Sequence, residues 1–212
     1  MNKEKKSLLI ALSLGDGHID RKGCFQATHT INHKEYVEWK QQLLNQICTP
    51  HKKYQARVSY RERFDDRTGK MYKSGTAYKQ HKYFRILRKW LYKPHKKYQR
   101  HILNKLTPQG LAIWFQDDGN LRKNISKKTN KVSSVQVSLY THCSLEEAEV
   151  VRNYFREVWQ IEFAIYIHKL KTSISYYLCA NTQNGLKFIN LISPYVICSC
   201  MKYKIDLSST RT

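Results

Sequence analysis

The sequence predicts an α+β protein made of two similar lobes, each in the order αβαββα. Three observations lead there. Helical and strand patterns recur with a period of roughly 100 residues. Each half holds a short apolar helix that ends in an acid and a glycine, Leu9–Gly17 and Leu111–Gly119. No Pro/Gly/Ser-rich linker or low-complexity stretch interrupts the 212 residues, so the repeats are expected to form lobes of residues 1–100 and 101–212.

In the first half, Leu8 to Leu14 reads as a helix with Ser7 as its N-cap, followed by Gly15-Asp16-Gly17. Cys24 to Ile31 alternates polar and apolar residues and reads as a strand. From His33 to Ile47, the residues Tyr36, Val37, Leu43, Leu44 and Ile47 fall on one helical face. Tyr54 to Phe64 and Gly75 to His81 read as strands, with Asp65-Asp66-Arg67-Thr68-Gly69 as a turn after the first. Tyr83 to Tyr92 closes the half as a helix.

The second half opens at Thr107-Pro108, an N-cap followed by the residue favoured at the first helical position. Its helix runs through Leu111-Ala112-Ile113-Trp114-Phe115 to Asp117-Asp118-Gly119. Val132 to Tyr140 is a strand. Ser144-Leu145-Glu146-Glu147 has the pattern of a capping box and opens a helix to Trp159. Strands Glu162 to Leu170 and Ser173 to Cys179 and a helix Thr182 to Ile192 follow.

Lys and Arg number 38 against 16 Asp and Glu, a formal charge of +22 that calls for a polyanionic partner. A membrane is a poor candidate, because the apolar run Leu8 to Leu14 is far short of the roughly 20 residues needed to cross one. The same run is too short for a secretory signal, so an intracellular setting is expected: phage or bacterial cytoplasm, or an organelle. The six cysteines lack paired C-x-x-C spacing and read as reduced thiols.

The two acid-glycine junctions carry the chemistry. A glycine after a helix is expected where the chain turns left-handed. A carboxylate there faces the negative end of the helix dipole and costs roughly 0.3–1 kcal/mol. Two such acids at matching points of a repeat call for a cation, and carboxylates with nearby carbonyls form an oxygen site suited to Mg²⁺, with Mn²⁺ as a substitute.

These two segments resemble the LAGLIDADG motif of the homing endonucleases, with its last acid at Asp16 and at Asp118. Two copies in one chain resemble the monomeric, pseudo-symmetric branch of that family. The likeness extends to Leu106-Thr107-Pro108, to Leu191-Ile192-Ser193-Pro194-Tyr195 and to Met201-Lys202-Tyr203-Lys204. The motif's first acid is replaced by Leu14 and Gln116. The resemblance implies that the motif helices lie side by side, with Ala11, Gly15 and Ala112 permitting close approach. It implies that two curved sheets form a saddle over a long double-stranded DNA site, and that one phosphodiester is hydrolysed in each strand to promote intron mobility. Asp16 and Asp118, with the backbone at Gly15 and Asp117, are then expected to hold divalent metal. Lys97 and Lys204 are expected as the basic catalytic residues, with Lys96 and Lys202 as rivals one or two positions away.

The strand patterns supply candidate DNA contacts. Gln55, Arg57, Ser59, Arg61 and Arg63 alternate onto one strand face, as do Gln26, Thr28 and Thr30. In the second half, Ser134, Gln136, Ser138 and Tyr140 do the same. Arg pairs with guanine edges, Gln with adenine, and Ser and Thr with bases or phosphates. The lysine-rich stretch Arg122-Lys123 through Lys127-Lys128 reads as a loop that touches phosphate or solvent. Two other readings stay open on the same fold: a maturase that binds intron RNA, and a DNA-binding protein without cutting activity. The presence of both motif acids favours an active nuclease over the second.

Overall fold

The computed structural model of the chain describes residues 2–48, 55–92, 95–169 and 173–208. The first lobe runs α1 (Lys3–Leu14), β1 (His18–Ile19), β2 (Cys24–Thr30), α2 (Lys34–Ile47), β3 (Arg57–Asp65), β4 (Lys70–Gln80) and α3 (Lys82–Leu91). A short α4 (Arg100–Leu103) leads to the second lobe: α5 (Pro108–Asp118), β5 (Gly119–Ile125), β6 (Val132–Cys143), α6 (Leu145–Trp159), β7 (Ala164–Lys169), β8 (Ile174–Ala180) and α7 (Thr182–Ile192). The two sheets have the same topology, β1-β2-β4-β3 and β5-β6-β8-β7, with antiparallel pairing.

The repeat is therefore αββαββα rather than αβαββα, because each motif helix is followed at once by a further strand. β1 is two residues long and leaves almost no alternation to detect. β5 reads Gly-Asn-Leu-Arg-Lys-Asn-Ile, which carries charges on an exposed edge, so Arg122 and Lys123 lie in a strand and not in the expected loop. β4 starts earlier than Gly75, and β2 stops at Thr30, where Ile31 begins a 3-10 turn. The expected strand ends Tyr54 and Leu170 lie outside the described residues.

Helices α1 and α5 form the centre. Ser7–Leu14 of one and Gly110–Gln116 of the other are buried on every side, which is how a helix apolar all round satisfies its surface. They belong to one continuous core that takes in both lobes, including Phe25, Tyr36, Phe84, Trp114 and Phe155. The close approach is made at Gly110, where a Cβ would overlap the Ser7 hydroxyl, and at Gly15, where it would overlap the Asp117 carboxylate. Ser7 is not the N-cap of α1. That role falls to Asn2, whose side chain accepts from Lys5 N at 2.9 Å. Ser7 is buried between the helices instead, its hydroxyl 3.1 Å from that of Thr107. The capping box at Ser144 and Glu147 forms in both directions.

The motif glycines also differ from expectation. Gly15 has φ −73° and Gly119 has φ −88°, so neither helix ends left-handed. Space explains the glycines at the motif ends instead: a Cβ on Gly17 would strike Leu12 O and the Phe25 ring, and one on Gly119 would strike Phe115.

Candidate active site at the junction of the motif helices

Asp16 follows the C-cap of α1 and Asp118 is the last residue of α5, so the central helix pair delivers both acids to the same end of the molecule. Each helix end also receives a lysine. The Lys96 ammonium donates to the carbonyls of Leu14, Gly15 and Gly17 at 3.2, 2.7 and 3.1 Å. The Lys204 ammonium donates to those of Gln116 and Asp117 at 2.6 and 3.2 Å. The last carbonyls of a helix lack intrahelical donors, and a cation there opposes the dipole. Both lysines come from the segment that follows the last helix of a lobe. One segment is anchored by Tyr98 N on the Glu147 carboxylate at 2.9 Å. The other is anchored by Ser199 N and Cys200 N on Glu35 at 2.9 and 3.1 Å.

The structure thus puts Lys96, not Lys97, against the motif. Tyr92 pairs with Lys96 in a β-bridge, and adjacent side chains in extended backbone point opposite ways, so Lys97 faces solvent. Lys204 lies at the end of α5, on the carbonyls of Gln116 and Asp117. The main chains of Gly15 and Asp117 lie at the site, with both carbonyls engaged by lysine.

Three carboxylates share this space and their electrostatics differ. Burial, then the charges of Asp117 and Asp16, push Asp118 up to about 8. Burial and Asp117 also raise Asp16, whose side chain is 42% exposed. Asp117 is the exception. Its side chain is fully buried, yet the Lys40 charge, with hydrogen bonds from Lys40 and Tyr36, outweighs burial and holds it below the usual carboxylate range. Lys40 Nζ lies 2.6 Å from Asp117 Oδ1, and Tyr36 donates to the same oxygen at 2.9 Å. Burial and the Lys40 charge drive His29 down to about 3, so its ring is neutral. With Lys40 Nζ 2.9 Å from Nε2, that nitrogen accepts, and the proton sits on Nδ1, 3.5 Å from Asp16 Oδ2.

Asp16 and Asp118 fit a divalent cation on these grounds, since burial first and neighbouring carboxylates second raise both toward protonation, and a bound cation would favour their ionised forms. Asp16, His29 and Asp117 also present ligand atoms within 4.8 Å of one another, but the Lys40 ammonium already bonds two of the three, at His29 Nε2 and Asp117 Oδ1. A cleft of about 390 Å³ opens beside Asp118, lined by Lys96, Tyr140, His142 and Glu147. His142 has φ +45°, next to an irregularity in the β6–β8 pairing that turns the strand end toward this cleft.

The sheet faces away from the core carry the remaining candidates. On the first sheet, cross-strand rows run His18–Gln26–Tyr78–Arg57, Thr28–Thr76–Ser59, Thr30–Ser74–Arg61 and Tyr72–Arg63. Gln26, Thr28, Thr30, Arg57, Ser59, Arg61 and Arg63 therefore share one face, while Gln55 is exposed just before β3. On the second sheet the corresponding rows are Arg122–Gln136, Asn120–Ser138–Cys179–Ala164 and Tyr166–Tyr177, with Ser134 and Tyr140 on the same face. Tyr140 stacks on Tyr177 at 5.0 Å and His142 lies 5.2 Å from His168. The first face is rich in guanidinium; the second is mainly aromatic and neutral. Sequence reading missed Asn120, Tyr177, Tyr166 and His168, whose place on this face depends on pairing between distant strands. It also missed His29 and Lys40.

Residues 6–188 match the model of the LAGLIDADG DNA endonuclease family. A relative described as probable intron-encoded endonuclease 1, from Wickerhamomyces canadensis, is 34% identical over 59% of this chain and 52% of its own length, so the match spans about half of that protein. DNA endonuclease I-ChuI from Chlamydomonas applanata is 22% identical over 97% of this chain and 96% of its own length. Among solved structures, the homing endonuclease I-WcaI bound to its DNA recognition sequence superposes with a TM-score of 0.78 at 24% identity, covering 98% of this chain and 88% of that one. The meganuclease I-SmaMI bound to DNA superposes with a TM-score of 0.53 at 10% identity, covering 93% and 86%. The family model spans most of the chain and both motif helices, and the chain belongs to the LAGLIDADG DNA endonuclease family.

Proposed function

We propose that this chain is a site-specific endonuclease that binds a long double-stranded DNA target, cuts one phosphodiester in each strand with a divalent metal, and so promotes intron mobility. The observation that carries this reading is the paired arrangement at the helix ends, an acid and a lysine at the end of each of α1 and α5, in a chain with two sheets of the same topology.

Asp16 and Asp118 would hold the metal, with the carbonyls of Gly15 and Asp117 beside them. Mg²⁺ is the expected ion and Mn²⁺ its substitute. Such an ion, when bound, makes water a nucleophile near neutral pH and neutralises charge on the phosphate. The protein's own groups do the rest. Lys96 and Lys204 fix the helix-end carbonyls and present positive charge where the phosphates must lie. The first sheet reads one half of the target through Arg57, Arg61 and Arg63. The second reads the other half through Ser134, Gln136, Ser138 and Tyr140. The net charge of +22 supplies phosphate affinity that falls steeply with salt. Two motifs in one chain complete the site in a monomer. No helix among the described residues is long and apolar enough to cross a membrane.

The test is cleavage selection on a DNA library that contains candidate intron-insertion sequences, with Mg²⁺ or EDTA, and with Asp16→Asn and Asp118→Asn proteins. A discrete site cut in both strands only by the unaltered protein with Mg²⁺ is expected. Tight binding without cutting under all conditions would overturn the nuclease reading.

A further inference from the structure

The motif helices are related by a pseudo-twofold, but the two acids are not supported alike. Aligning the lobes by their matching elements places Gly15 opposite Asp117, Lys40 opposite Val151 and His29 opposite Thr141. The buried sets agree with this alignment: Val37, Lys40, Leu43 and Leu44 of α2 correspond to Ala148, Val151, Tyr154 and Phe155 of α6. A connected polar group on one side is therefore replaced on the other by glycine, valine and threonine.

That group converges on Asp16 by two routes, both starting at the Lys40 ammonium. One passes through Asp117, whose Oδ1 takes Lys40 and whose Oδ2 accepts the Asp16 backbone N–H at 3.1 Å. The other passes through His29, whose Nε2 takes Lys40 and whose Nδ1 faces the Asp16 carboxylate. Lys40 also lies 4.5 Å from the centre of the Tyr36 ring, and Tyr36 donates to Asp117. Both side chains of the ion pair are fully buried. Their partners are fixed by packing, and Asp117 spans from α5 of one lobe into α2 of the other. Gly15 makes this possible, because any side chain there would displace the Asp117 carboxylate.

We infer that Lys40 and Asp117 form a buried strut that positions Asp16 and has no counterpart at Asp118, so that the two strand-cutting sites are built unequally. Lys40 is a positioning residue, and the Asp117 side chain serves as an anchor and not as a metal ligand. This inference rests on the endonuclease reading for its cleavage readout but not for its binding readout.

The test is to give the Asp16 side the residues of the other side, as the double variant Lys40→Val/Asp117→Gly, beside the single Lys40→Met. Thermal melts come first. The single variant leaves a buried carboxylate unpaired and melts well below the unaltered protein, while the double variant recovers most of the loss. Strand-resolved cleavage of a supercoiled plasmid that carries the target then reads the strut. The double variant is expected to slow the strand cut at the Asp16 site about 10- to 100-fold more than the other strand, and to accumulate nicked circles. Equal rates on both strands, whether both normal or both slow, would overturn the inference. Mn²⁺ titration followed by electron paramagnetic resonance reads the same site without turnover. A drop of about tenfold or more in the affinity of one class of ion is expected in the double variant, and unchanged affinity overturns the strut. Failure of the unaltered protein to cut would count against the endonuclease reading, and the Mn²⁺ titration would still decide the strut.

Discussion

Replacing Asp118 by Asn should stabilise the metal-free protein while removing cutting, and the gain should depend on pH in a defined way. Asp118 is raised from 3.8 to about 8 by burial and by Asp117 and Asp16, with Lys96 and the Trp114 Nε1–H, 3.1 Å away, opposing. Because the folded state holds this proton more tightly than the unfolded chain, its contribution falls as pH rises from about 4 to about 8. At pH 7 the unfolded carboxyl is ionised and the folded one is not, and the gap of about 3 pH units amounts to about 4 kcal/mol at about 1.36 kcal/mol each. Asn keeps the acceptor for Trp114 and never ionises, so it escapes this loss. For a chain of this size 1 kcal/mol moves Tm by roughly 2–4 °C. With relaxation of Asp16 and Asp117 around the amide taking back part of the gain, a rise of roughly 5–10 °C is expected at pH 7 and almost none at pH 4. Circular dichroism melts in EDTA across that range measure it. Added Mg²⁺ should then stabilise the unaltered protein more than the variant. A Tm difference that stays constant from pH 4 to pH 8 would refute the reasoning, because it would mean that the Asp118 carboxyl is not held protonated by its neighbours.

Other outcomes follow from the same geometry. Lys96→Met should slow cutting about 10- to 100-fold by freeing three helix-end carbonyls, whereas Lys97→Met should cut near the normal rate; single-turnover cleavage separates them. Gly15→Ala should lower Tm and slow cutting together, since the methyl group displaces the Asp117 carboxylate. Arg57→Ala, Arg61→Ala and Arg63→Ala should each relax base preference in one half of the target only, at about 1–3 kcal/mol for an Arg that pairs with guanine, with target-site profiling as the assay. Tyr140→Ala should relax the other half without the same loss of salt dependence, because that face bears tyrosine and histidine where the first bears arginine.

The repeat, the helix and strand types, and the placement of Asp16 and Asp118 at matching helix ends could be read from the chain because each is written locally. A helix-period apolar run ends at an acid, a polar-apolar alternation marks a strand, and the second copy confirms the first. The alternation of Gln26, Thr28 and Thr30, and of Arg57, Ser59, Arg61 and Arg63, placed those side chains on common faces before any pairing was known. What failed locally was short or polar: β1 has two residues, and β5 carries Arg122 and Lys123 on an edge. Lys40 was missed although it stands in the middle of the apolar face that includes Tyr36, Val37 and Leu44. A lysine on an apolar face is tolerated only if a buried anion meets it, and that anion is 77 residues away in sequence. Lys96 against Lys97 is a similar case, decided by a single β-bridge that sets which side chain turns inward. The sequence by itself determined which residue types stand at the ends of the motif helices. Only the tertiary structure decided which charges meet there, because burial makes an ion pair or a carbonyl contact depend on atoms brought together by packing and not by spacing along the chain.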